Sequence, residues 1–221
     1  MSIQTRPEKF LGRIELWNAA EAALRKAAEK TGYPVTALEG EGAFYAPKLG
    51  FDFRDVLDRS WTLATVQIDC AMPERFALRY VTADGTEATP MMIHRAVLGS
   101  IERFIAILLE HTAGKLPLWL APIQVRVLPV SEKVADYAGR VADACRTAGL
   151  RVEADIRNEK LGYKVREAQL EKIPVIVVVG EREAAAGTVA PRSGSGEPQA
   201  VGLDAFIADT VAAARMPGGV P

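Results

Sequence analysis

Pro174-Val175-Ile176-Val177-Val178-Val179 is a continuous apolar run dominated by β-branched side chains. Such a run reads as a strand covered on both faces, because a strand with one wet face alternates apolar and polar positions. Toward the N-terminus, Leu161, Val165 and Ala168 recur at helical spacing, and Val152 and Ala154 at strand spacing. Val134, Tyr137, Ala138, Val141 and Cys145 are helical again, and Ile123, Val125 and Val127 alternate as a strand. Toward the C-terminus, Ser193 to Pro198 reads as a hairpin loop, and Leu203, Phe206, Ile207, Thr210, Val211 and Ala214 as a closing helix. Strand, helix, strand, helix, strand predicts an α/β sandwich.

Upstream, Gly114, Pro117 and Pro122 punctuate the chain around Leu118-Trp119-Leu120, so a domain boundary is expected near residue 120, dividing 1–120 from 121–221. Within 1–120, Leu16 to Lys30 is rich in Ala, Leu, Glu and Lys and stops at Thr31-Gly32-Tyr33-Pro34, which predicts an amphipathic helix and its terminator. From Ala43 to Val81, Phe51, Phe53, Trp61, Val66, Ile68, Phe76, Leu78 and Tyr80 recur with a period near two, which predicts an antiparallel sheet. Ala96 to Glu110 returns to helical period, with Val97, Ile101, Phe104, Ile105 and Leu108 on one side, so a buried helix is expected after the sheet.

The 221 residues are 49% hydrophobic and 25% charged, the profile of a soluble globular chain with one or two cores. The formal net charge of -1 gives no global sign of a nucleic-acid partner, although a local patch suffices for one. Two cysteines, Cys70 and Cys145, make neither a disulfide framework nor a zinc ribbon, which fits a cytoplasmic compartment. Arg6, Glu8 and Lys9 near the start, and apolar runs far below spanning length, argue against a secretory leader and a membrane anchor.

Three segments carry the chemistry: Gly40-Glu41-Gly42-Ala43-Phe44-Tyr45-Ala46-Pro47-Lys48, Ala64-Thr65-Val66-Gln67-Ile68-Asp69, and Met92-Ile93-His94-Arg95-Ala96-Val97-Leu98-Gly99-Ser100-Ile101-Glu102-Arg103-Phe104. In the third, a small-residue turn precedes an amphipathic helix that can present Arg103 to a pocket; the plain alternative is an arginine paired with a surface carboxylate. The first two read equally as a sheet edge with ordinary polar residues facing water. His94 taken alone is an ordinary structural histidine.

Together with Thr5-Arg6-Pro7-Glu8-Lys9 and Pro117-Leu118-Trp119-Leu120-Ala121-Pro122, these segments resemble threonyl-tRNA synthetases, in their C-terminal portion. The resemblance implies part of the antiparallel class II catalytic sheet with its helices, followed by an α/β anticodon-binding domain with a mixed, mostly parallel sheet. It implies that Arg103 is the motif 3 arginine holding ATP, delivered with Mg2+, a task suited to a fixed guanidinium fork. Ser100 joins it, and Lys48, Tyr45, Thr65 and Gln67 line the pocket for threonine, adenylate and the tRNA acceptor end, with Lys48, Gln67 and Arg103 as the catalytic set. His94 matches one of three ligands of a Zn2+ ion that distinguishes threonine from valine through its hydroxyl. The other two ligands, and motifs 1 and 2, have no counterpart in this sequence. Three positions depart from the family pattern: Ala46 and Ala64 stand for glycines, and Thr62 for a glutamine.

Ala154-Asp155-Ile156-Arg157-Asn158-Glu159-Lys160-Leu161-Gly162-Tyr163-Lys164-Val165-Arg166-Glu167 resembles the anticodon-binding domain, which places Asn158, Glu183 and Arg192 where the family reads anticodon bases. Residues 157–172 hold five basic and three acidic side chains, a modest positive bias that a solvated helix would show equally well. The expected parent activity is ATP-dependent threonylation of tRNA through threonyl-adenylate, with this chain inactive alone. The partners expected are tRNA, threonine and ATP, with a second copy or a missing N-terminal half, and no membrane. The competing readings are a non-catalytic tRNA-binding or regulatory relative and, from a different class, an unrelated α/β ligand-binding protein.

Overall fold

A computed structural model describes residues 1–192 and 199–218, so the expected hairpin loop at Ser193 to Pro198 lies outside the described residues. The chain divides into Met1–His111 and Thr112–Pro221. The Pro-punctuated segment around residue 120 is tied to the second unit. There Arg151 donates to the carbonyls of Ala121 and Trp119 at 2.9 and 2.8 Å, and Gln124 Nε2 donates to that of Leu118 at 2.9 Å.

The first unit runs β1 (Ser2–Gln4), α1 (Ile14–Glu29), β2 (Thr36–Leu38), β3 (Lys48–Arg54), β4 (Ser60–Asp69), α2 (Met72–Arg75), β5 (Tyr80–Val81), β6 (Glu87–Ala88), β7 (Met92–Ala96) and α3 (Ile101–Thr112). Its sheet has the order β2-β1-β3-β4-β7, with β1 and β2 parallel and the other pairs antiparallel. Apolar alternation on β3 and β4 turns Leu49, Phe51, Val66 and Ile68 to one face, where Leu24 and Ala28 of α1 close over them. Trp17 and Ala20 extend that stripe along α1, at the i, i+3, i+4 spacing a helix needs to present one face. On the opposite face β4 presents Thr65, Gln67 and Asp69.

Two expectations for this unit are corrected. Phe76 and Leu78 belong to the turn after α2, a helix opened by Pro73, and not to the sheet; the period of two was broken there by the proline. The helix after the sheet begins at Ile101, because residues 92–96 pair with β4 as a strand, and it contains no buried residue: Ile101 and Ile105 are 60% and 47% exposed.

The second unit runs β8 (Val125–Pro129), a 3-10 turn, α4 (Ala135–Thr147), β9 (Val152–Ala154), α5 (Leu161–Leu170), β10 (Val175–Val179), α6 (Glu181–Ala186), β11 (Thr188–Arg192), β12 (Val201–Gly202) and α7 (Leu203–Ala213). Its sheet order is β12-β11-β10-β8-β9, with β10, β8 and β9 parallel and β11 and β12 antiparallel. The parallel strands are those read from the sequence. β10 lies between β8 and β11, as its unbroken apolar run demands: Val177 and Val179 face the α4 and α7 side, and Ile176 faces Ala168 on the α5 side. No helix among the described residues is long and apolar enough to cross a membrane.

Candidate functional site

On the polar face of the first sheet, alternation along β4 places Thr65, Gln67 and Asp69 side by side. Gln67 stands directly opposite Lys48 on β3 and His94 on β7, so three of the sequence-predicted residues form one row across three strands. Thr65, half-buried, stands between two small residues, Gly50 and Ala96. A Cβ at Gly50 would meet Ser2 Oγ at 2.8 Å and displace a hydroxyl that donates to Asp52.

Tyr45 comes to the same place from the turn before β3. Its hydroxyl donates to Gln67 Oε1 at 3.4 Å, and its ring meets the His94 ring edge-on with centroids 5.9 Å apart. Ala46 beside it is fully buried with no left-handed backbone, so alanine fits where the resembling family has glycine. Beneath the row lies Asp69, which sequence reasoning passed over. Its side chain is fully buried, Oδ2 lies 2.8 Å from His94 Nε2, and Oδ1 accepts the backbone N–H groups of Ala71 and Met72 at 2.9 and 2.8 Å. Its place two residues after Gln67 was a readable signal: three polar residues at strand spacing between apolar neighbours.

Arg103 sits in the first turn of α3 with its guanidinium 4.7 Å from the centroid of Trp61, a cation-π contact. Trp61 is itself fixed by Nε1 donating to Asp55 Oδ2 at 2.9 Å, and Arg59 Nε donates to the same oxygen at 2.6 Å. Those bonds, led by the Trp61 one, hold the Asp55 carboxyl down at about 2. Trp61 precedes Gln67 by six positions, roughly 20 Å along β4, so the structure sets Arg103 at the other end of the strand from His94. Ser100 caps α3: its Oγ accepts the N–H of Arg103 at 3.4 Å and donates to Glu102 at 2.7 Å. Gly99, at φ +62°, lets this turn approach β4, since a Cβ would strike the Leu63 carbonyl at 2.5 Å. Thr62 donates to Asp52 at 2.5 Å.

Among the described residues, no group of three or more His, Cys, Asp or Glu side chains is placed to hold a metal ion. His94 fits the part of a single imidazole ligand, with Nε2 engaged by a buried carboxylate and the side chain partly exposed at 41%. Burial pushes the Cys70 and Cys145 thiols up to about 11, so both are protonated at neutral pH.

In the second unit Asn158 lies in the loop between β9 and α5, which is staked on both sides. Arg157 binds Asp155 through Nε at 2.8 Å and Nη2 at 2.6 Å and also reaches Glu167, while buried Lys164 donates Nζ to the Asp155 carbonyl at 3.0 Å. Two of the five basic residues counted in 157–172 are thereby spent on the loop itself, which lowers the positive bias the sequence suggested. Glu183 caps α6, its Oε2 accepting the Gly180 N–H at 2.8 Å. Arg192 is exposed at the end of β11, level with Ile176 at the start of β10. Asn158 and Glu183 therefore follow the C-terminal ends of β9 and β10, and Arg192 stands toward the opposite edge.

Comparison with known proteins agrees with this division. The class II core domain of tRNA synthetases (G, H, P, S and T) matches residues 10–112, and the anticodon-binding domain family matches residues 124–210. A class II synthetase core joined to an anticodon-binding domain is thus the class of protein that the two folds define. The chain is 56% identical over 192 residues to a threonine-tRNA ligase of Symbiobacterium thermophilum, covering 87% of this chain and 30% of that protein. It is 50% identical over 209 residues to the one of Clostridioides difficile, covering 94% of this chain and 33% of that protein. The crystal structure of the RNA-binding domain of threonyl-tRNA synthetase from Cryptosporidium parvum superposes with a TM-score of 0.89 at 38% identity, over 96% of this chain and 54% of that one. The chain belongs to the threonyl-tRNA synthetase family, and it spans about a third of the length of the curated relatives it matches.

Proposed function

We propose that this chain is a C-terminal portion of a threonine-tRNA ligase of the cytoplasm, supplying one wall of the threonine and ATP pocket and the module that docks the tRNA anticodon. The observation that carries this reading is the convergence of Tyr45, Lys48, Gln67 and His94 on one sheet face, within a stretch whose relatives are threonine-tRNA ligases. In the parent reaction the threonine carboxylate attacks the α-phosphate of ATP, releasing pyrophosphate, and the threonyl group then passes to the terminal ribose hydroxyl of tRNA. Tyr45, Thr65 and Gln67 orient the polar groups of the amino acid through hydroxyl and amide contacts. Lys48 meets developing negative charge on the α-phosphate of MgATP, Arg103, at the other end of β4, holds a different part of the nucleotide, and Ser100 holds the helix turn that carries Arg103.

His94 would serve as one of several zinc ligands, the others coming from outside this sequence. Bound there, zinc supplies a Lewis acid that accepts the amino group and hydroxyl of threonine and finds no hydroxyl on valine. Asn158, Glu183 and Arg192 meet the edges of unstacked anticodon bases. A second reading, favoured by the anticodon-binding-domain match over residues 124–210, is a tRNA-binding relative without catalysis of its own.

Filter binding with the purified chain tests the RNA half of this reading. A tRNA with a threonine anticodon should bind more tightly than mismatched ones, with affinity falling as salt rises, and Arg192→Ala should narrow the difference. Equal affinity for every tRNA, with or without that substitution, would defeat the anticodon assignment. The pure chain should show no threonine-dependent pyrophosphate exchange, and robust exchange would overturn its description as one wall of a larger pocket.

A further inference from the structure

We infer that Asp69 is a positioning residue that selects the tautomer of His94, so that Nδ1 is the atom offered to the pocket. As a carboxylate, Asp69 can only accept hydrogen bonds. Its Oδ1 is already occupied by two backbone donors, Ala71 and Met72, and its Oδ2 faces His94 Nε2 at 2.8 Å. Nε2 must therefore carry the ring proton, which leaves the Nδ1 lone pair unprotonated in the neutral ring. The carboxylate cannot swing away, because its side chain is fully buried and pinned at both oxygens. Tyr45 sets the plane of the ring by its edge-on contact but directs its own hydroxyl to Gln67, so it takes no part in choosing the tautomer.

A buried carboxylate behind a histidine is how metal-binding imidazoles are commonly aimed and made more basic. The inference deepens the reading of His94 as a pocket ligand and rests on it for its purpose, though not for its test. Asp69→Asn gives a sharp inversion. The amide oxygen would remain with the two backbone N–H groups, which need an acceptor, so the NH2 group would turn toward His94. A donor there demands an acceptor on the ring, and the proton must move to Nδ1.

Two-bond nitrogen-proton correlation spectra of the 15N-labelled full chain, free of metal and substrate and in mildly alkaline buffer, read the tautomer directly. His111→Gln identifies the His94 signals. The Nε2–H form should predominate by about tenfold or more in the native chain, the ratio expected when one tautomer alone keeps a charge-assisted hydrogen bond. It should persist in Tyr45→Phe and reverse in Asp69→Asn. A predominant Nδ1–H form in the native chain overturns the inference whether or not any variant folds, as does an unchanged tautomer in a folded Asp69→Asn. Since no metal is present, a failure of His94 to bind zinc would count against its ligand role and leave this result standing.

Discussion

In the second unit, α4 and α7 close over one face of the sheet and α5 over the other, and Val125, Val127, Val141, Ala142, Cys145, Val177, Val179 and Val189 are wholly removed from water. In the first unit α3 carries an apolar stripe of the same helical period, yet none of its residues is buried, and a cavity of about 190 Å³ lined by Phe53, Leu63, Phe104 and Ile107 lies under it. The contrast separates two things that a periodic pattern confounds. An apolar stripe states that a helix has a face to cover; it does not state that the residues covering it stand in the same sequence.

Truncation on the two sides should differ most. Phe206→Ala removes a ring that is 6% exposed in the second core and should cost about 3–5 kcal/mol. Ile105→Ala trims a side chain that is 47% exposed and should stay within about 0.5 kcal/mol. Urea unfolding of both variants measures the gap. A large cost at Ile105 would mean that α3 is covered in solution, and the contrast between the units would then collapse. Within the first unit the best-closed spot is Trp17, fully buried, with Nε1 donating to the Leu11 carbonyl at 2.7 Å. Trp17→Phe keeps an aromatic ring and strands that carbonyl, so a loss of about 1–3 kcal/mol is expected in the same assay.

What could be read in the sequence follows from the length and context of each signal. β10 announced itself through five β-branched residues in succession, and α1 through a helical stripe ended by Gly32 and Pro34. β1 and β2 are three residues each, too short to display a period, and Ser2 and Gln4 are buried polar residues whose reason lies in strands far along the chain. α6 is a single capped turn and a half, too short to display a stripe, and its cap, Glu183, is shared with a position that the resemblance assigns to base contact. The row of Lys48, Gln67 and His94 was legible as separate motifs, but its geometry depends on strand register, which three distant segments set jointly. The placement of Arg103 on Trp61, and the capture of Arg157 and Lys164 by Asp155, are tertiary pairings with no signature in spacing.

Acid should act on the loop that anchors Trp61. Asp55 titrates at about 2 in the folded chain, below the roughly 3.9 of a free aspartate. A depressed carboxylate stabilises the fold above its unfolded value, and that contribution disappears as pH falls through the folded one. Asp55→Asn should therefore be less stable than the native chain at neutral pH, with the difference closing between about pH 4 and pH 2. A gap that stays constant over that window, in thermal melts at stepped pH, would show that Asp55 acts by shape and not by charge.

The smallest effect is expected a few residues away, where a similar pairing has a different setting. Arg54 meets Asp58 at 2.7 Å, but the two side chains are 67% and 79% exposed, whereas that of Asp55 is 2% exposed. Water competes for both partners of the outer pair, and two mobile side chains lose freedom to form it, so the net contribution is about 0.3 kcal/mol. Arg54→Ala should shift the urea midpoint barely beyond error, and added salt should erase even that. If its effect matched that of Asp55→Asn, distance alone would be setting the strength of these pairs, and the burial that distinguishes the inner carboxylate from the outer one would have no energetic meaning.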